Sequence, residues 1–226
     1  MIKIINYTKN PISHIGEIAG VCWGSDTSTQ EKNYKRGLEC IRANHGRVME
    51  YADIEFIIDE YSARVIREWY THRIGNTNLQ QSTRYVNCKD FNYYTPDSIK
   101  KDKHTQKIYD NCMNLIKVTY EQLLLQGVPK EDIANILPLG METKIVSKFN
   151  LRALIHLFET RQCNRAYIEF RGLLKEFKQE LSKLDDEWEY LCENVFKIIC
   201  DKTSVCEETK DVYKRQKLFF IHGIIF

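Results

Sequence analysis

The chain has 226 residues, of which 43% are apolar, 12% aromatic and 28% charged, with only four prolines. That apolar share excludes a disordered chain, and 33 Lys+Arg against 31 Asp+Glu leave a formal charge of +2 that calls for neither nucleic acid nor anionic lipid. No window approaches the roughly 18 consecutive apolar residues of a membrane span.

Met1 leads straight into the strand-like run Ile2-Lys3-Ile4-Ile5, without the zones of a signal peptide, so a cytoplasmic protein is expected. Residues 13–23 and 31–44 read as helices, the second stopped by Gly46 in a C-terminal cap. Ile54, Phe56 and Ile58 alternate with acidic residues, the period of a half-buried strand. A helix is predicted over 61–70, with Ser62 as its cap. Residues 73–81 hold Gly75, two asparagines and a threonine, which is loop chemistry, and the β-prone 82–87 reads as a strand. A long amphipathic helix over 107–126 ends at Gly127, and Pro129 opens another turn with Glu131 and Asp132 at its positive end. Residues 143–149 are strand-like, and Asn150 is placed to cap a helix over 151–162. Apolar residues at 167, 170, 174, 177, 181 and 184 mark a helix that packs along one face, and Trp188, Leu191, Val195 and Ile198 carry the pattern further. Strands never alternate regularly with helices, so the expected class is α+β with a small, mostly antiparallel sheet.

The eight cysteines are scattered, with no Cys-x-x-Cys and no paired Cys/His spacing, so reduced thiols and no metal site are expected. There is also no Gly-x-Ser-x-Gly, no P-loop and no Gly-x-Gly-x-x-Gly.

Two stretches carry chemistry. In residues 67–85, Arg67, His72, Arg73 and Arg84 offer planar donors, and Ser82 and Thr83 offer hydroxyls. Phosphate oxygens suit that mixture, because a guanidinium fork pairs two oxygens at once. A solvated basic helix terminus would have the same composition. In the helix that follows Asn150, Leu154, Leu157 and Phe158 form an apolar stripe, and Arg161 lies seven residues after Leu154, only ~20° away on the wheel. An arginine there is costly unless something anionic, or a row of acceptors, meets it. A snorkelling arginine at a helix end is the plainer alternative. Arg152 and His156, four apart, share a second face.

The order of these motifs resembles that of the flavin-dependent thymidylate synthases, the ThyX family. The family hallmark, Arg-His-Arg followed after seven residues by Ser, is matched by Thr71-His72-Arg73, eight intervening residues, then Ser82-Thr83-Arg84-Tyr85. A second block is matched by Ile136-Leu137-Pro138-Leu139, Thr143, Asn150-Leu151-Arg152-Ala153-Leu154 and Arg161, and an upstream segment by His45-Gly46 and Glu50-Tyr51.

The resemblance implies an α+β homotetramer with active sites where subunits meet. It further implies that dUMP becomes dTMP, with methylenetetrahydrofolate supplying one carbon and NADPH-reduced FAD supplying hydride. Carried over by position, Thr71, His72, Arg73, Ile74, Asn150, Arg152 and His156 would meet FAD, with His156 standing where the family has Asn. Glu68, Gln81, Ser82, Thr83 and Arg84 would hold dUMP, and Arg161 would face the uracil as the catalytic cation. No membrane or nucleic-acid partner is implied. Thr71 replaces the hallmark's first arginine, and Ala134 stands where the family has an arginine reaching dUMP from another subunit. These departures keep open a catalytically impaired flavin- or nucleotide-binding paralogue. The expected domain covers 1–208, and 209–226 form an atypical tail in which residues 211–216 resemble a translated sequencing adapter.

Overall fold

The computed structural model describes residues 1–203; the 209–226 tail lies outside the described residues. Four antiparallel strands form one sheet in the order β1-β2-β4-β3: β1 (Ile2–Tyr7), β2 (Asp53–Ser62), β3 (Asn76–Gln80) and β4 (Glu142–Asn150). Alternation decides which side is buried. Ile54, Phe56 and Ile58 of β2 and Ile145 and Phe149 of β4 are fully buried, whereas Lys148 reaches Asp53 and Glu55 at 2.9 and 3.0 Å on the opposite face.

The apolar face is covered by α3 (Ala63–Trp69), α7 (Leu151–Arg161) and α8 (Ile168–Leu181). Trp69, Phe56, Phe149, Phe158, Phe170 and Phe177 are its largest side chains, and one continuous core draws on residues from Ile2 to Phe196. Helices α1 (Pro11–Cys22) and α2 (Gln30–Arg42) cross so closely that a Cβ on Gly16 or Gly37 would strike the facing backbone. Carboxylates pin the layers together. Glu169 of α8 accepts from Ser62 N and Oγ at 2.8 and 2.7 Å, and burial raises its pKa. Glu176 accepts from Ile2 N and the Tyr61 hydroxyl, both at 2.7 Å.

A smaller cluster of Phe91, Met113 and Met141 lies under the long helix α5 (Lys103–Leu125). That helix starts a turn earlier than the periodicity predicts, because the Asp102 carboxylate accepts from Thr105 N at 2.9 Å and caps it. Its end, before Gly127 (φ 77), is as expected. The short helices α4 (Asp97–Lys100) and α6 (Lys130–Ile133) flank it.

Several boundaries differ from expectation. The predicted strand over 82–87 is a turn. The Ser82 carbonyl accepts from Val86 N at 3.1 Å and its hydroxyl from Arg84 N at 3.3 Å, so local serine bonding overrides β-propensity. The strand lies instead in the predicted loop, as β3 on the edge of β4. Strand β2 runs on through Ser62, and helix α3 begins only at Ala63, with the Ser62 hydroxyl accepting from Val65 N as its cap. The left-handed residue after α2 is Asn44 (φ 54), not Gly46. The last predicted helix breaks into α9 (Asp186–Tyr190) and a π-helical turn over Leu191–Val195. The final short helix is α10 (Ile199–Thr203).

Candidate active site

The end of α3 delivers the first group of polar side chains. Trp69 is fully buried and anchors the helix, and its indole N–H donates to Asn78 Oδ1 and Ser147 Oγ, each at 3.1 Å. Just past it the chain tightens: Thr71 N and its hydroxyl both donate to Glu68 O, at 3.1 and 2.6 Å. Gly75, at φ 74, then turns the backbone into β3, a conformation that suits glycine. The loop is tied at both ends, since Asn76 Nδ2 donates to His72 O at 2.7 Å and Asn150 N donates to Gly75 O at 2.9 Å.

Helix α7 delivers the second group. Asn150 Oδ1 accepts from Ala153 N at 2.9 Å, the cap read from the sequence. Leu151, Leu154, Leu157 and Phe158 then bury one stripe of the helix. Helical side chains lean toward the N-terminus, which carries Arg161 back over the preceding turn toward the 71–72 loop.

The two groups meet at Arg161. Its Nε donates to His72 Nε2 at 3.0 Å and its Nη2 to Thr71 Oγ1 at 2.9 Å. Its Nη1 lies 3.8 Å from Glu68 Oε2, and its guanidinium carbon sits 5.6 Å from the centre of the Phe170 ring. The Arg161 and Glu68 side chains retain only 29% and 30% of their exposure, so the attractions are stronger than between groups in open water. The acceptors demanded by an arginine on an apolar stripe are therefore present. His156 stands beside them, its ring 6.2 Å from that of His72.

Because Nε2 of His72 accepts from Arg161, its proton belongs on Nδ1 and the ring is neutral. Burial, followed by the charges of Arg161 and His156, lowers the His72 pKa to about 4. The sequence alone did not single out Phe170 or Asn78. Phe170 was hidden in the regular stripe of α8, and Asn78 in a stretch whose composition reads as loop.

The other expected FAD contacts surround this cluster with donors and one apolar side chain. Thr71, Arg73, Arg152 and His156 are exposed, and Ile74 keeps 84% of its surface in solvent. Arg152 donates to Glu50 at 2.7 Å and lies against Gly46, where any Cβ would meet its Nε at 2.6 Å. Gly46 thus serves as a platform for a guanidinium rather than as a helix cap.

The expected phosphate-binding residues lie at the opposite end of β3. Five residues of strand, about 17 Å at ordinary rise, separate the 71–75 loop from Gln81. Gln81 N donates to Lys144 O at 2.8 Å, and Gln81, Ser82 and Thr83 line a cleft of about 300 Å³ with Phe91, Met141 and Thr143. Arg84 turns away to Glu131 at 2.7 Å. A larger cleft of about 530 Å³, along α8 and lined by Arg171, Lys175 and Lys178, contains none of the expected site residues. Among the described residues no group of three or more His, Cys, Asp or Glu side chains is arranged to hold a metal ion.

Residues 3–185 match the family model described as thymidylate synthase complementing protein. A flavin-dependent thymidylate synthase of Pyrococcus furiosus is 31% identical over 196 residues, covering 82% of this chain and 80% of the relative. The chain belongs to the flavin-dependent thymidylate synthase family. A second member, from Geobacter sulfurreducens, is 30% identical over 185 residues, covering 77% of this chain and 79% of its own. The fold is also shared with two solved structures. ThyX from Helicobacter pylori, crystallised with FAD and dUMP, superimposes with a TM-score of 0.68 at 20% identity, covering 87% of this chain and 99% of that one. The UMP/dUMP methylase PolB from Streptomyces cacaoi, bound with 5-Br dUMP, gives 0.70 at 17% identity, covering 87% and 96%.

Proposed function

We propose that this protein makes dTMP from dUMP, taking one carbon from methylenetetrahydrofolate and hydride from FAD that NADPH has reduced. The observation that carries the reading is the partly buried Arg161, hydrogen-bonded to two neutral acceptors, His72 and Thr71, with the Glu68 carboxylate 3.8 Å from Nη1. A guanidinium has five N–H donors. His72 and Thr71 take one hydrogen bond each, and Nη1 faces Glu68 at 3.8 Å, beyond hydrogen-bond reach, so donors remain for a ligand on a group whose orientation is already set. Aimed at the pyrimidine N3–O edge, they would stabilise negative charge developing there and enrich the ring in electrons, without nucleophilic attack by a cysteine.

The residues around Arg161 fit a flavin by their chemistry. FAD combines a flat apolar ring with amide and phosphate acceptors. This face offers the bared side chain of Ile74, the donors of Arg73 and Arg152, and the side-chain amide N–H of Asn150 beside Gly75. Arg73 makes no ion pair or side-chain hydrogen bond with any described residue. When bound, FAD would supply the hydride. The chain's part is to hold it with His72, Arg73, Ile74, Asn150, Arg152 and His156, and to keep the His72 proton on Nδ1.

Gln81, Ser82, Thr83 and Arg84 would take the phosphate and sugar of dUMP, with Glu68 near the base. Their distance from Arg161 within one chain favours sites completed by a second copy, and we infer a homotetramer with shared sites. Helix α5 provides a surface for such assembly. Ile108, Leu115, Val118 and Leu125 are more than half exposed and recur at steps of seven, three and seven, a seam that favours helix pairing. Purified protein should be yellow, bleach on addition of NADPH, and convert dUMP with methylenetetrahydrofolate to dTMP. A colourless protein, or one that bleaches but forms no dTMP, would defeat the proposal.

A further inference from the structure

We propose that Thr71 is a positioning residue for Arg161, orienting the guanidinium toward the pyrimidine rather than contacting the flavin as a donor of its own; this rests on the function proposed above. The Thr71 hydroxyl is doubly engaged. It donates to the Glu68 carbonyl at 2.6 Å and accepts from Arg161 Nη2 at 2.9 Å. A hydroxyl has one donor and two acceptor sites, so its proton is committed to Glu68 and a lone pair is turned to the arginine.

The Glu68 carbonyl belongs to the last turn of α3, where backbone acceptors lack helical partners. Thr71 satisfies that carbonyl and, with the same oxygen, anchors the arginine to a rigid helix end. His72 fixes Nε and Thr71 fixes Nη2. Two anchors on different nitrogens remove the rotation about the long side chain that a single bond would permit. The departure at position 71 thereby acquires a role: a neutral acceptor holds Arg161, where a second cation would repel it.

The test uses the FAD-loaded protein and Thr71→Val, which keeps the shape and loses the hydroxyl, beside Thr71→Ser, which keeps it. Calorimetric titration with dUMP should show about a 10-fold weaker affinity for the valine variant, the scale expected on loosening one charged contact. The serine variant should stay within about twofold of the wild type. Steady-state assays should show kcat falling with the affinity in the valine variant only, while flavin content is unchanged in both. Valine binding and turnover equal to wild type, or serine as impaired as valine, would overturn the inference while leaving the proposed function intact. If the valine variant does not fold, Thr71→Ala takes its place with the same expectations. Wild-type protein that binds no dUMP would overturn both readings together.

Discussion

The two ends of strand β3 carry different kinds of cation, and the contrast separates the two tasks proposed for the site. At the Asn76 end, Arg161 is partly buried, anchored to His72 and Thr71 and backed by Phe170, all within one chain. At the Gln80 end, Arg84 is exposed on a serine-nucleated turn and pairs with Glu131, another exposed side chain. Preorganised charge costs no reorganisation when the reaction begins, whereas an exposed pair is worth at most about 1 kcal/mol and releases readily to a ligand. Under the proposed function, the first end suits chemistry and the second suits capture of a phosphate.

Substitutions can break this contrast in order of expected effect. Arg161→Ala should lower kcat for dTMP formation by about 100- to 1,000-fold, the loss seen when one preorganised donor to a developing anion is removed, measured by product formed at saturating dUMP. Asn78→Leu strikes the strand joining the two ends. Its side chain accepts from the fully buried Trp69 and from Ser147, at 3.1 and 2.7 Å. Losing it strands the Ser147 hydroxyl and leaves the indole N–H only Ser147 Oγ as acceptor, and should cost about 1–3 kcal/mol of stability, read from urea unfolding. Arg84→Ala should raise the dUMP KM by about 10-fold with kcat little changed, the pattern of lost uniform binding.

The smallest effect concerns pH. His72 titrates near 6.5 when unfolded and near 4 when folded, so between those values the unfolded chain binds more protons. Stability should therefore be complete above about pH 6.5, fall as pH drops toward 4, and flatten below. Exposure of the ring screens the effect, so the slope stays under that of one full proton. Subtracting the pH–stability curve of His72→Phe from that of the wild type isolates it, and two parallel curves would contradict the buried, neutral assignment.

Much of the arrangement around Arg161 could be read from residue order. The Ser62 and Asn150 caps, the stripe of α7 and the misfit of an arginine upon it all follow from helical spacing, a local property. The identity of the acceptors did not follow. Thr71 and His72 lie 90 and 89 residues from Arg161, and only the sheet brings them together. Strand β3 was missed because its inward residue is Asn78, held by side-chain hydrogen bonds rather than by apolar burial, so it lacks the alternation by which strands are recognised. The turn at 82–87 was missed for the converse reason. Its residues favour strands, but Ser82 closes a local bond network first, and Tyr85 keeps 76% of its surface exposed. Gly46 illustrates the same limit, since its value lies in the approach of Arg152 from a segment about a hundred residues away.

The central claim, that one end of β3 performs chemistry while the other holds the substrate, is tested most directly by a single assay of dTMP formation. Wild type, Arg161→Ala and Arg84→Ala would be compared across dUMP concentrations, with FAD, NADPH and methylenetetrahydrofolate saturating. The account predicts a collapse of kcat for Arg161→Ala and a raised KM with nearly normal kcat for Arg84→Ala. Intact turnover in Arg161→Ala, or a larger loss of kcat in Arg84→Ala, would contradict it.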